Sequence, residues 1–447
     1  MNRINELFLE ALKASLKNER ITWSFEITRQ QWQQLFQLAV IHHVLPMIES
    51  AVHDCPAIRN ADSEMLLLCR RAAARCAVMQ TVKTKEFLEL LRFLYQSGLH
   101  PLVVKGLICR ELYPYPDYRD SGDEDLIVPA DEFDACQRAL KSCGLQTAVR
   151  KENAITDIAY AKPGHLIYIE LHPFPFPPES DVYGSWNDFF KAIHLNTAEM
   201  MISGQAVLTM QPTDHLFYLI CHGLKHFLHS GFGIRQVCDI VLYANYYGKL
   251  IDWQQIFDRC RTLQAHYFAA AIFKIGKKYL IFDVEKAGYP RVWQQMTIDE
   301  VPLLEDLLAG GIYGDAIAGR RHSSYMTLDA MQHQKQGIRY NHFSGWIQTA
   351  FPSAGNLGNR YPWVRSKPWL LPAAWCHRWY RYLLTQNISA QLSDGLSASK
   401  IGEHRIALMQ YYQLTDKKQK KRSVLPIGHI KDAYKENQRG DFFGNHQ

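Results

Sequence analysis

The sequence predicts an α+β fold: a small mixed sheet with helices, flanked by mainly helical N-terminal and C-terminal regions. Three observations lead to this prediction. Residues 1–98 repeat apolar side chains at intervals of three and four, as amphipathic helices do. Residues 99–210 instead contain short β-branched runs separated by turn-forming residues. The helical periodicity returns after residue 211.

The composition is that of a globular chain. Its 447 residues suggest two or three domains, or one core with large helical elaborations. Hydrophobic residues at 47% and charged residues at 21% exclude fibrous and disordered classes. The net charge of +6 is a weak excess for this length, and no basic stripe is interleaved with aromatic residues. We therefore do not expect a long nucleic acid as partner.

The cysteines and the N-terminus bear on the cellular compartment. Ten cysteines occur without a C-x-x-C pair, which indicates reduced, buried thiols. The N-terminal residues 1–20 have the pattern of an amphipathic helix, not of a signal peptide. No apolar run is long enough to span a bilayer. We expect a cytoplasmic protein that does not use a membrane as partner.

Within residues 99–210 the predicted elements alternate. A strand in HPLVVKG precedes a helix in LICRELY, and DEDLIV forms a second strand before a helix in DEFDACQRALKSCGL. Two further strands, Ala154–Ala161 and His165–His172, are joined by a turn at Pro163-Gly164. QAVLTM is a possible additional strand. This order describes a small mixed sheet.

The predicted elements divide the chain into four regions. Residues 1–98 form an N-terminal helical region and residues 99–210 an α/β core. Residues 211–310 form a helical region, beginning near Pro212, that would shape a substrate or acceptor pocket. Residues 311–447 form a Trp- and Pro-rich helical region with a basic tail, in which Lys417–Arg422 is mostly lysine and arginine.

Three acidic residues are the strongest candidates for a site. Asp123 and Asp125 are two apart on a predicted strand, so both point to one face. Glu170 lies in the apolar run LIYIELH, where a carboxylate needs a partner or a metal. If the two strands are neighbours, the carboxylates suit two Mg²⁺ ions, with Mn²⁺ possible, across a phosphoryl group. Alternatively, the aspartates are exposed turn acids and Glu170 pairs with an arginine.

The segment before these acids contains a possible nucleotide-binding turn. Lys105-Gly106 leads into a helix whose first amides could face a triphosphate, and Lys105 could add a charge. Arg119 could contact phosphate through its guanidinium fork. The alternatives are an ordinary turn at Gly106 and an ion pair between Arg119 and Asp120.

Basic and imidazole side chains surround the predicted pocket. His172 shares the strand face of Glu170 and could contact a metal-bound carboxylate or the acceptor, although a core histidine is an equal alternative. His222, Lys225, His226 and His229 share one helix face and could bind the acceptor or Zn²⁺. Lys225 and Arg235 are candidates for substrate contacts, and exposed helix charges are the alternative.

Several of these segments together resemble a known family. Val103–Val128 and Tyr168–His172 are similar to the uncharacterised nucleotidyltransferase family of bacteria, within the DNA polymerase beta-like superfamily. The resemblance continues through His222–Ile256, through GGIYG near Gly310 and through YPWVRSKPWLLPAAW near Trp375. It therefore covers most of the chain.

The resemblance implies a chemistry for these residues. Asp123 and Asp125 would be paired metal ligands, Glu170 the third acid, and Gly106 the phosphate-facing turn. The chain would move a nucleoside monophosphate from a nucleoside triphosphate such as ATP to a hydroxyl of an unidentified small-molecule or macromolecular acceptor. Two departures are Leu107, where Ser or Gly is common, and glutamate in place of aspartate at 170.

Two other functions compete with this hypothesis. One is a catalytically inactive binding or adaptor protein that keeps the nucleotidyltransferase fold, which the departure at Leu107 favours. The other is a carboxylate hydrolase such as a glycosidase, which would use an acid pair without a metal. Metal dependence discriminates the second alternative from nucleotidyl transfer.

Overall fold

The computed structural model describes residues 1–148, 158–229, 231–311, 326–332, 361, 363–364, 367–384 and 388–415. Within these residues the fold is α+β, as the sequence predicts, with a five-stranded mixed sheet and a two-stranded sheet among helices. The basic run Lys417–Arg422 and the first residues of the strand predicted at Ala154–Ala161 lie outside the described residues.

Four helices precede the sheet: α1 (Arg3–Leu16), α2 (Arg29–Ile41), α3 (Leu45–Val52) and α4 (Ser63–Gln96). Helices α2 and α4 begin with side-chain caps: Asp62 accepts from the Met65 amide, and Thr28 forms a capping box with Gln31. Their apolar faces bury Trp32 and Leu91 completely. The predicted helical layer is therefore present.

The five strands of the main sheet are β1 (Leu102–Val104), β2 (Glu124–Ile127), β3 (Gln146–Thr147), β4 (Ile158–Ala161) and β5 (Tyr168–His172). They lie in the order β1-β2-β5-β4-β3. Strands β2 and β5 are parallel, and the other neighbours are antiparallel. Helix α5 (Gly106–Arg110) follows β1, and α6 (Phe133–Ser142) follows β2. The two strands that carry the candidate acids are therefore neighbours.

A hairpin of β6 (Thr197–Ile202) and β7 (Gln205–Met210) forms the second sheet. The sequence predicts β7 but not β6, because the run AEMM within β6 consists of good helix formers. The turn at Ser203-Gly204 has positive φ at both residues, as tight hairpin turns require. The hairpin packs beside β1, where the Thr209 hydroxyl donates to the Val103 carbonyl at 2.7 Å.

Helices dominate the rest of the described chain. These are α7 (Pro212–Leu228), α8 (Ile234–Tyr247), α9 (Trp253–Thr262), α10 (His266–Tyr279), α11 (Arg291–Gln294), α12 (Val301–Gly310), α13 (Leu371–Leu384) and α14 (Ile388–Tyr411). Arg405 on α14 donates to the Phe227 and His229 carbonyls at the end of α7. None of the described helices combines the length and apolar character needed to cross a lipid bilayer.

One buried apolar cluster extends from Leu7 on α1 to Leu414 after α14. It joins residues from the N-terminal helices, the sheet and the helices that follow. The division into four regions stays a prediction, since the shared core does not mark its boundaries. All ten cysteines are free thiols, as the sequence predicts, and seven of them are buried. The predicted burial is wrong for Cys376, which is exposed, and Cys76 and Cys143 are half-buried.

Candidate active site

The parallel pairing of β2 and β5 places two of the candidate acids side by side. Asp125 is the register partner of Glu170, and Lys105 in the β1–α5 turn contacts Asp125. Because side chains two apart on a strand share a face, His172 joins them from β5. The strand adjacency on which the sequence hypothesis depends is thus present.

Asp125, Glu170 and His172 form a compact donor group. Each offers one ligand atom, and these atoms lie within 4.8 Å of one another. His172 Nε2 is 3.1 Å from Asp125 Oδ1 and 3.7 Å from Glu170 Oε2. The side chains of Glu170 and His172 are 13% and 12% exposed, so the group is largely withdrawn from bulk water. Two carboxylates and an imidazole suit a divalent cation.

Asp123 lies immediately before β2 and is half-buried. It is not a member of the compact donor group. Its charge nevertheless acts on Lys105 and on His226, which places it beside the same site. The structure therefore brings Asp125 and Glu170 together closely and adds His172, with Asp123 at the margin.

Lys105 reaches directly into the donor group from the β1–α5 turn. Its Nζ lies 2.9 Å from Asp125 Oδ1 and 3.0 Å from His222 Nε2. Its backbone has φ 57° and ψ −121°, an unusual conformation for a residue with a side chain. Burial opposes its charge, but the Asp125 carboxylate holds the pKa of Lys105 above the ordinary value. Lys105 is therefore a fixed cation at this site.

The Asp125 carboxylate responds to the same contacts. Burial works against its ionised form, but the neighbouring Lys105 ammonium and the hydrogen bond with His172 outweigh burial and lower the pKa of Asp125 to about 2. Asp125 is therefore an anion throughout the physiological pH range.

Gly106 is required by a neighbouring side chain that the sequence analysis did not single out. Glu124 accepts a hydrogen bond from the Leu107 amide at 2.7 Å, and a Cβ on Gly106 would lie 2.0 Å from its Oε2. Glu124 also pairs with the buried cations Arg110 and Lys83. This network holds the turn in place from below the sheet. The sequence contained one indication of this network: Glu124 stands between Asp123 and Asp125 on a predicted strand, so its side chain points to the opposite face.

Histidines of α7 extend the site away from the sheet. His226 Nε2 lies 3.1 Å from His222 Nε2, and His222 in turn contacts Lys105. Burial, followed by nearby cations that include Lys225, lowers the pKa of His222 and His226, in the case of His226 to about 3. Both imidazoles are therefore neutral at pH 7, and Lys225 lies within electrostatic range of them.

The two arginines predicted to contact substrate occupy buried positions. Arg119 donates through Nε and Nη2 to the two oxygens of Asp239, each at 2.7 Å, and not to Asp120. Arg235 is 7% exposed and lies near Cys76 and Asp120. Its Nε and Nη1 have no acceptor among the described residues. Contacts of Arg119 and Arg235 with substrate stay predictions.

Buried histidines make the protein sensitive to acid. Burial lowers the pKa of His42 and His229 to about 4 and that of His215 to about 3, from an ordinary 6.5. Because the unfolded chain binds protons first, the free energy of unfolding should fall as pH drops below 6.5, by roughly 1 kcal/mol per histidine between pH 7.5 and 5.5. Denaturant titrations at these two pH values measure this loss.

A His42→Gln variant serves as the control for this acid sensitivity. Its free energy of unfolding should fall less between pH 7.5 and 5.5 than that of the wild type, by the contribution of His42. This comparison holds even if the variant is less stable at both pH values. A wild-type free energy of unfolding that is equal at pH 7.5 and 5.5 would contradict the burial of neutral imidazoles.

Comparisons with known proteins identify the family. The family model described as uncharacterised nucleotidyltransferase matches residues 28–280, which include the main sheet and helix α7. A search of curated proteins found no match. Among solved structures, the crystal structure of an antigenic nucleotidyltransferase-like protein from Paracoccidioides brasiliensis is similar, at 18% identity and a TM-score of 0.29. That similarity covers 46% of this chain and 95% of the other.

A TM-score this low carries no argument about fold or function, so the assignment rests on the family model. The match confirms the resemblance seen in the sequence, and it spans more than half of the 447 residues. The chain belongs to the uncharacterised nucleotidyltransferase family.

Proposed function

We propose that the protein transfers a nucleoside monophosphate from a nucleoside triphosphate to a hydroxyl-bearing acceptor in a reaction that requires a divalent metal ion. The observation that carries this proposal is the group of Asp125, Glu170 and His172, whose ligand atoms lie within 4.8 Å of one another. Membership of the nucleotidyltransferase family supports the same reaction class.

Asp125, Glu170 and His172 would hold the metal, with Asp123 beside them. When bound, a divalent ion neutralises charge on the phosphates and orients the reacting oxygens. Oxygen ligands favour Mg²⁺, and the imidazole of His172 makes Mn²⁺ a good substitute. The proposed reaction requires neither redox chemistry nor a covalent intermediate on the enzyme.

The transfer itself is a displacement at the α-phosphorus. The acceptor oxygen forms a new bond to the α-phosphorus, the bond to the bridging oxygen breaks, and pyrophosphate leaves. Glu170 orients the acceptor hydroxyl and takes its proton. Lys105 places a positive charge beside the phosphates, since its Nζ is held 2.9 Å from Asp125. Most of the catalysis would come from positioning and charge stabilisation.

The surrounding helices would shape the acceptor site. His222 and His226 lie next to Lys105, and Lys225 adds a positive charge near them. These groups supply hydrogen bonds through neutral imidazoles and attraction through an ammonium. They would suit a small polar or anionic acceptor.

A transfer assay tests this proposal. The protein is incubated with each nucleoside triphosphate labelled at the α-phosphate, together with Mg²⁺ or Mn²⁺ and fractions of cellular small molecules, RNA and protein. Label should move to one acceptor fraction, and chelation of the metal should stop the transfer. Transfer that continues at the same rate in a chelator would contradict the proposal.

One observation favours an inactive adaptor as a second candidate. The Leu107 amide at the start of α5, which could have bound phosphate, is already occupied by Glu124. Metal-dependent nucleotide binding without transfer to any acceptor fraction would support this candidate.

A further inference from the structure

The ammonium group of Lys105 lies 2.9 Å from the Asp125 carboxylate. In a site that binds two metal ions, one of the ions would be expected in such a position. We propose that Lys105 replaces one of these two ions, so that the chain itself binds a single divalent ion through Asp125, Glu170 and His172. This inference rests on the proposed function, because it concerns the same metal site.

The first argument is the occupation of Asp125. In a site with two ions about 3.5–4 Å apart, a shared carboxylate supplies oxygens to both ions. Here Asp125 Oδ1 already contacts Lys105 Nζ at 2.9 Å and His172 Nε2 at 3.1 Å. The Lys105 ammonium therefore already contacts one of the two oxygens that a shared Asp125 carboxylate would offer to a pair of ions.

The second argument is that Lys105 is held firmly in this position. Its Nζ has a second partner in His222 Nε2 at 3.0 Å, and its backbone amide donates to His215 Nε2 at 3.3 Å. The adjoining turn is anchored by the hydrogen bond from the Leu107 amide to Glu124. Moving the ammonium aside would break its contacts with Asp125 and His222, and the anchored backbone keeps the base of the side chain at the site.

The third argument is charge balance. Three acidic side chains, those of Asp123, Asp125 and Glu170, surround the site, and the Lys105 ammonium pairs with one of them, Asp125. One divalent ion balances the remaining two. A second ion would leave an excess of positive charge in a site where most side chains are shielded from water, and Lys225 would increase that excess.

Titration of the nucleotide-free protein with Mn²⁺, followed by electron paramagnetic resonance, tests the inference. The full-length wild-type chain should bind one ion, whose spectrum shows the resolved hyperfine lines of an isolated Mn²⁺. The Lys105→Met variant should bind a second ion at an adjacent position, with spectral broadening from the pair. A folded Lys105→Met protein that still binds only one ion would overturn the role of Lys105. Lys105→Arg, which keeps the charge, should resemble the wild type.

The outcomes separate this inference from the proposed function. Two Mn²⁺ ions per wild-type chain with a broadened spectrum would overturn the role of Lys105 and leave the metal-dependent reaction intact. Complete absence of Mn²⁺ binding would overturn the metal site and, with it, the proposed function. If Lys105→Met does not fold, the wild-type stoichiometry and the Lys105→Arg variant decide the question.

Discussion

Replacing Asp125 by asparagine should lower nucleotidyl transfer by roughly 10³-fold or more. Asp125 belongs to the compact donor group and also pairs with Lys105. The amide loses the negative charge that attracts a metal, and it removes the carboxylate that pairs directly with the Lys105 ammonium. The label-transfer assay measures the rate, and circular dichroism monitors the folded fraction.

The matched control for this loss is Asp188→Asn. Asp188 is 66% exposed and pairs with a neighbouring surface residue, Lys191. Its replacement should leave transfer within about twofold of the wild type, because exposed ion pairs contribute little. A folded Asp125→Asn protein that transfers at the wild-type rate would rule out Asp125 as a metal ligand.

The Asp239→Asn variant should be less stable than the wild type by about 3–5 kcal/mol. Asp239 accepts two hydrogen bonds from Arg119 and one from the Tyr113 hydroxyl at 2.8 Å. The side chains of Arg119 and Asp239 are only 4% and 6% exposed. Neutralising the carboxylate therefore leaves a guanidinium charge in the core without compensation. Denaturant unfolding at pH 7 measures the loss.

A double variant distinguishes this charge effect from general damage to packing. Arg119→Met combined with Asp239→Asn removes both members of the pair, so it should recover part of the lost stability. A single Asp239→Asn variant within 1 kcal/mol of the wild type would mean that Arg119 has another partner.

Much of the fold followed from local sequence patterns. The strands β1, β2 and β5 are β-branched or apolar runs between turn residues, and α7 begins at Pro212 as expected. Strand β6 was not predicted, since Met, Ala and Glu favour helices and its strand conformation depends on pairing with β7. The local pattern was misleading where tertiary pairing decides the structure.

The site was predictable in its acids but not in its contacts. Asp125 and Glu170 could be placed together on the condition that their two predicted strands are neighbours, and the structure meets that condition. The contact between Lys105 and His222 joins residues that are 117 positions apart, so no local periodicity indicates it. Glu124 also required the structure, because its carboxylate accepts from the amide of Leu107 and is not part of the compact donor group.

Calorimetric titration with non-hydrolysable nucleoside triphosphates, with and without Mg²⁺, tests most directly whether this is a metal-dependent nucleotide site. The wild-type protein should bind at least one triphosphate in a Mg²⁺-dependent manner, and Asp125→Asn should weaken that binding by at least about tenfold. Equal binding by both proteins without Mg²⁺, or no binding of any triphosphate by the wild type, would contradict the metal-dependent nucleotidyl transfer proposed for this chain.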